Sequence, residues 1–134
     1  MAGYSGTPLA TKLGIKPGHV VAALDAPGHF STLLEPIPDG VALRADARAR
    51  ADVNVVFCVD RRALRRRASQ LWRLAHPDRA VWIAWPKKSS GAFVDLTEDD
   101  VRAVALPLGL VDVKVCAIDD TWSGLKLVVR TQLR

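Results

Sequence analysis

The side chains able to do chemistry in this sequence are few and scattered. Cys58 and Cys116 each lie inside an apolar run, Val53-Asn-Val-Val-Phe-Cys-Val59 and Val113-Lys-Val-Cys-Ala-Ile118. Neither belongs to a Cys-x-x-Cys or metal-ligand spacing, so both read as buried thiols. His19, His29 and His76 stand at no ligand spacing from cysteines or carboxylates, and no metal site is expected. Glu98, Asp99 and Asp100 open an apolar-periodic stretch, where acids favour a helix start, and read as cap electrostatics rather than as a catalytic pair. Ser5, Ser89, Ser90 and Ser123 lie outside any Gly-x-Ser-x-Gly elbow, which leaves hydrolase chemistry unsupported.

Two concentrations of charge and aromatics remain. Arg61, Arg62, Arg65, Arg66 and Arg67 crowd one stretch and offer nucleic acid a phosphate-tracking face. The same positions oppose the Leu64/Leu71 stripe, so the plain alternative is a solvated helix face. No helix-turn-helix, zinc knuckle or aromatic-basic interleaving accompanies them. The second concentration is Trp85-Pro-Lys-Lys88 together with Trp122 and Ser123. Aromatic walls with lysines suit a planar or anionic ligand. Its plain alternative is tryptophans that cap a core and lysines in water.

The elements that would position these groups follow from periodicity. Thr7 to Gly14 reads as a short helix with Thr7 as cap, Pro8 in the first turn and Gly14 as the stop. His19–Leu24 reads as a strand. Residues 25–40, with Pro27, Gly28, Pro36, Pro38 and Gly40, hold at most one helical turn. Residues 41–46 form a weak strand. Val53–Val59 lacks polar alternation after Asn54, as a strand covered on both faces would. From Asp60 as cap, Leu64, Ala68, Leu71 and Ala75 make a helix stripe that His76-Pro77 ends. Ala80–Trp85 is another buried strand. Thr97 to Asp100 has a capping-box pattern leading a helix with Val101, Val104, Ala105 and Leu108 inward, cut short by Pro107. Val111–Ile118 and Leu125–Arg130 then form two strands around a hairpin loop, Asp119–Gly124.

This order predicts one α/β domain over residues 1–134, a largely parallel sheet flanked by helices and closed by an antiparallel last strand. Residues 41–46 sit awkwardly in it. A parallel crossover needs a dozen or more residues, and six separate Asp46 from Val53. That strand is therefore expected to be peripheral, antiparallel or absent. Open α/β sheets bind ligands outside the carboxyl ends of their strands. The topology brings Tyr4, Ser5, Asp25, Gly28, Trp85, Lys87, Lys88, Trp122 and Ser123 to that rim, as a candidate site for a small anionic ligand or a protein segment.

The order of elements resembles the second half of a class I S-adenosylmethionine-dependent methyltransferase, a Rossmann-like fold. The matching pieces are Asp52–Asp60 with its helix, Arg79–Lys88 and the terminal hairpin with Asp119-Asp-Thr-Trp-Ser-Gly-Leu125. The chain also resembles a family of short actinobacterial proteins, a domain of unknown function. That resemblance rests on Gly3-Tyr-Ser-Gly-Thr-Pro-Leu9, Leu13-Gly-Ile-Lys-Pro-Gly18, Trp85-Pro-Lys-Lys-Ser89, Asp95-Leu-Thr-Glu98 and Thr121-Trp-Ser-Gly-Leu125. The methyltransferase resemblance implies a glycine-rich turn after the first strand for the methionine end of the cofactor. Leu24-Asp-Ala-Pro-Gly-His-Phe30 stands there, with Asp25 and Gly28 retained, Pro27 removing a backbone donor and His29 and Phe30 adding bulk. Asp46 is the acid that would reach the ribose hydroxyls. A degenerate methyltransferase-like binding module without a conventional cofactor site is therefore expected. A small active S-adenosylmethionine-dependent methyltransferase and a nucleic-acid accessory protein are the alternatives.

Composition bounds rather than chooses among these. Hydrophobic residues make up 49% and charged residues 25%, as in a globular and not a disordered chain. The net charge is +5, with 13 of the 19 basic residues Arg, which permits anionic partners without locating them. The first residues lack the basic and apolar regions of a signal peptide, Gly does not follow Met1, and the apolar runs are too short to cross a bilayer. A cytoplasmic protein is expected.

Overall fold

The computed structural model describes residues 6–134. Its centre is two strands with no exposed residue, β3 (Val53–Phe57) and β4 (Ala80–Pro86). Around them β1 (Val20–Leu24), β2 (Ala42–Arg44), β5 (Leu110–Ala117) and β6 (Trp122–Val129) complete a six-stranded sheet in the order β2-β1-β3-β4-β6-β5. The pairs β2-β1, β1-β3 and β3-β4 are parallel, while β6 runs antiparallel to both β4 and β5. This is the Rossmann-like, mostly parallel sheet with an antiparallel C-terminal strand that the sequence predicts.

Side chains alternate across the sheet and build a core on each face. One face packs Val56, Val81, Ile83, Trp85, Leu125 and Leu127 under α3 (Arg61–Ala75) and α4 (Glu98–Ala105). The other packs Val55, Phe57, Trp82, Ala84 and Ile118 under the single turns α1 (Leu9–Lys12) and α2 (Phe30–Leu33). Trp82 is fully buried, and its indole N–H donates to Leu13 O at 3.2 Å, so the largest core side chain leaves no orphan donor. Asp60 caps α3 by accepting from Ala63 N at 2.8 Å. Thr97 and Asp100 complete the capping box of α4. On α3 the buried stripe is Ala63, Leu64, Leu71, Leu74 and Ala75, with Ala68 half-buried.

Several boundaries differ from the sequence reading. Pro8, not Thr7, occupies the cap position of α1, and Leu13 closes the turn ahead of Gly14. Residues 42–44 do form a strand, parallel to β1 and at the edge, with Val20 opposite Ala42. The crossover rule is not broken, because β2 pairs with β1 through the long 25–41 connection and never touches β3. The short 45–52 return has to run back past only three strand residues. The terminal hairpin is tighter than expected, since β6 begins at Trp122. Asp119 Oδ1 accepts from Thr121 N at 2.9 Å and Trp122 N at 2.8 Å, which turns the chain within residues 118–121 and frees Trp122 and Ser123 for the ladder.

Among the described residues no helix is long and apolar enough to cross a membrane. Asp60→Ala is expected to cost about 1 kcal/mol through loss of the cap. Trp82→Ala is expected to cost about 3–5 kcal/mol through the cavity it leaves. Urea unfolding of the two variants against the wild type measures both.

Candidate functional site

Strand β1 runs out at Leu24, and the backbone turns at once through Asp25, whose φ of +58° lies in the left-handed region that Asp tolerates better than most residues. The turn aims the Asp25 carboxylate at α3, where it accepts from Arg67 Nη2 at 2.8 Å. Arg67 Nη1 in turn donates to Gln70 Oε1 at 3.0 Å. Arg67, Gln70 and Arg73 follow one another at three-residue spacing along α3 and form one wall of a crevice of about 340 Å³. The opposite wall is the exit of β2, with Asp46 and Arg48, and Leu24 lies between. Asp46 Oδ1 accepts from Arg48 N at 3.1 Å.

The rest of the loop is tied down by its own side chains. Phe30 is buried, its ring edge-on to Phe57 at 5.0 Å. His29 Nε2 lies 3.0 Å from Asp119 Oδ2, which joins the β1 loop to the β5–β6 turn. Burial pushes the Asp119 carboxyl up, but hydrogen bonds from His29 and from the Trp122 and Thr121 amides outweigh it and hold the group below its ordinary value. Gly28, Pro27, Leu43 and Arg44 line a separate cleft of about 260 Å³ between this loop and β2.

At the exit of β4, Lys87 and Lys88 border a third cleft, of about 360 Å³, with Trp85, Thr97, Glu98 and Asp99. Two cations face two acids there. Trp85 is only 5% exposed and belongs to the core under α3 and α4. Trp122 is on the other face. The β4–β6 ladder sets Trp85 opposite Ser123 and Pro86 opposite Trp122, and adjacent positions on a strand point to opposite sides. Trp122 packs edge-on to Phe57 at 5.0 Å. The rim residues thus share an edge without sharing a pocket. Trp85, Lys87 and Lys88 form one group, Asp25 joins Arg67, Gly28 lines its own cleft, and Trp122 and Ser123 lie in the ladder. Tyr4 and Ser5 lie outside the described residues.

The arginine run divides as well. Arg61 Nε donates to Asp100 Oδ2 at 3.1 Å, and Arg67 is committed to Asp25. Arg62, Arg65 and Arg66 are exposed and make no hydrogen bond or ion pair with the described residues. Burial pushes the Cys58 thiol up to about 12 and raises Cys116 too, so both stay protonated. No group of three His, Cys, Asp or Glu among the described residues is placed to hold a metal ion. The residues that sequence reasoning missed are Arg48, Gln70 and Arg73. For the two on α3 a signal existed, since 67, 70 and 73 fall on one helix face.

No protein-family model matches the chain, and no curated protein matches it. Solved structures do. A protein described as a type 11 methyltransferase from Sulfolobus solfataricus superposes with a TM-score of 0.56 at 15% identity, over 92% of this chain and 90% of that one. The fold is that of the class I methyltransferases. The ribosomal protein L11 methylase of Lactobacillus delbrueckii gives a TM-score of 0.56 at 14% identity, over 91% of this chain and 75% of its own. A SAM-dependent methyltransferase from Aquifex aeolicus gives 0.53 at 13%, over 90% and 88%. In this fold β1 and β3 are neighbours that leave the sheet towards opposite layers, so the crevice lined by Leu24 and Arg67 opens beside the switch point.

Trp85→Ala is expected to destabilise the protein by about 3–5 kcal/mol, because the ring is core. Lys87→Ala should stay within about 0.5 kcal/mol, which makes it the clean probe of the β4-exit cleft. Asp119 has its own signature. A carboxyl held below its unfolded value stabilises above about pH 4 and loses that contribution as pH falls through the folded value. Urea unfolding as a function of pH should therefore show Asp119→Asn less stable than wild type at neutral pH, with the gap closing in acid.

Proposed function

We propose that this chain is a methyltransferase-fold binding module that holds a small anionic ligand at its carboxyl edge and does not transfer a methyl group. The observation that carries the reading is the crevice beside the switch point, where Arg48, Arg67 and Arg73 stand against one lining carboxylate, Asp46. Planar guanidinium groups converging on a cleft favour carboxylate or phosphate oxygens, which they bind in pairs. Asp25 balances Arg67 from outside the cleft and holds it in place, so the donor is pre-oriented.

The residues present do not fit S-adenosylmethionine. That cofactor carries a sulfonium and an ammonium against one carboxylate, a net positive charge, and would meet three arginines. Pro27 offers the loop no amide donor, and Phe30 turns into the core instead of leaving room beside the turn. Asp25, the acid retained at the end of the first strand, already spends its carboxylate on Arg67. The mixed charge beside Lys87 and Lys88 gives that cleft less claim to an anion than the crevice has. On its sequence motifs the chain is grouped with the short actinobacterial family, in a cytoplasmic setting.

Thermal unfolding with adenosine monophosphate, citrate, S-adenosylmethionine and S-adenosylhomocysteine tests the reading. A ligand at about 100 times its Kd adds about 2.7 kcal/mol, enough to raise Tm by several degrees. The anions are expected to raise Tm in the wild type and to lose that effect in Arg67→Gln. Removing an exposed ion pair costs only about 0–1 kcal/mol, so the variant still folds. Stabilisation by the adenosyl compounds alone, or an anion effect indifferent to Arg67→Gln, would overturn it.

A further inference from the structure

Strand β5 changes face part-way along. Leu110 lies in the core under α3 and α4, and Asp112 follows it on that face, accepting from Arg102 Nε at 3.1 Å. Strict alternation would send Lys114 the same way. A β-bulge intervenes. Asp112 is opposite Leu127 and Lys114 is opposite Lys126, so Val113 is an extra residue with no partner on β6. The bulge turns Lys114 over to the α1 face, where its Nζ donates to Lys12 O at 3.3 Å. Cys116 and Ile118 then enter the core on that same face.

The outcome is a like-charge pair. Lys126 stands opposite Lys114 on one side and opposite Trp82, a core residue of the α1 face, on the other. Residues directly opposite in an antiparallel pair point to one face, with Cβ atoms about 5 Å apart, and like charges there are destabilising. No acid relieves them, since Lys12, Lys114 and Lys126 make no ion pair with a described residue. Lys12 and Lys126 are half-buried. Beside the pair opens a cleft of about 330 Å³ lined by Thr7, Thr11, Lys12, Lys114, Val115 and Cys116. Among the described residues no carboxylate lines it.

We propose that this cleft and the lysine pair beside it bind the phosphoryl group of a phosphate monoester. A bulge on an edge strand re-aims a side chain, and here it assembles positive charge whose repulsion a bound anion removes. Ammonium groups act as point charges and hydroxyls donate over a wide range of directions, which suits the tetrahedral oxygens of a phosphoryl group. Planar carboxylates favour the guanidinium fork, which this cleft lacks. Its volume falls at the lower end of small-ligand sites, about 300 Å³ and more, and Val115 gives the carbon part of the ester an apolar wall. The site stands on α1, β5 and β6 and shares no residue with the crevice of Asp46 and Arg67. Neither reading depends on the other.

Isothermal titration calorimetry tests the proposal on the full chain carrying Arg67→Gln, which takes the carboxyl-edge crevice out of the measurement. The probes are glycerol 3-phosphate and succinate at matched ionic strength and about pH 7.5, where each carries close to two negative charges. Glycerol 3-phosphate is expected to bind about tenfold or more tightly than succinate, and Lys114→Gln/Lys126→Gln to weaken it about tenfold or more. Lys87→Gln/Lys88→Gln, an equal loss of charge at another edge, should leave it unchanged. Without ligand, Lys126→Gln should raise Tm by about one to three degrees, because it relieves the like-charge pair. No binding of glycerol 3-phosphate, equally tight succinate, equal weakening by both double variants, or an unchanged or lowered Tm would overturn the assignment. Self-association of the lysine variant with phosphate binding intact would overturn it too, leaving the lysines as guards of the edge strand.

Discussion

Hydrogen bonding on both edges and helices or turns on both faces hold β3 and β4 so completely that every residue of the two strands is buried. From this constraint the rest follows. Strands covered on both faces can place polar function only at their ends. It also forces the alternation that sends Trp82 and Trp85 into different cores, and with them α1 and α2 to one layer and α3 and α4 to the other. Asn54, inside β3, is the single polar departure.

The carboxyl edge and the β5–β6 flank of the sheet are built differently. At the carboxyl edge, acids act as ties. Asp25 holds Arg67, Asp119 holds His29 and its own turn, and Asp100 holds Arg61 and Thr97. Backbone and side-chain donors around Asp100, the Thr97 amide first among them, hold its carboxyl below the ordinary range. These bonds knit loops that are far apart in the chain into one rim, and they use up much of its charge. What the ties leave over is the arginine excess at the crevice beside the switch point. On the β5–β6 flank beside α1 the balance tips further, with two lysines and, among the described residues, no carboxylate lining the cleft.

The likeness to methyltransferases is a likeness of scaffold. In this chain the strand order and the antiparallel β6 follow from packing helices on both sides of a twisted sheet. Chemistry resides in the loops grafted on that scaffold, and here the loop after β1 has Pro27, a core-packed Phe30 and an ion-paired Asp25. Sequence identities of 15% and below among the superposed structures leave the loops free to differ while the core keeps its shape.

The sequence by itself determined the features governed by neighbours within a turn or two. Asp60 and Thr97 declare the starts of α3 and α4, apolar runs mark the covered strands, and the tilt from parallel to antiparallel pairing shows in the closing hairpin. It also placed the end of the first strand at Leu24. Tertiary structure alone decided that residues 42–44 add to the edge beside β1, that Trp85 and Trp122 face opposite cores, and that Arg67 leaves the exposed arginine run for Asp25. It alone set Lys114 opposite Lys126, through the bulge in β5. Caps and periodicities are fixed by forces acting within a few residues. A cleft made from an edge strand and the first helical turn exists only after the sheet order has set those segments side by side.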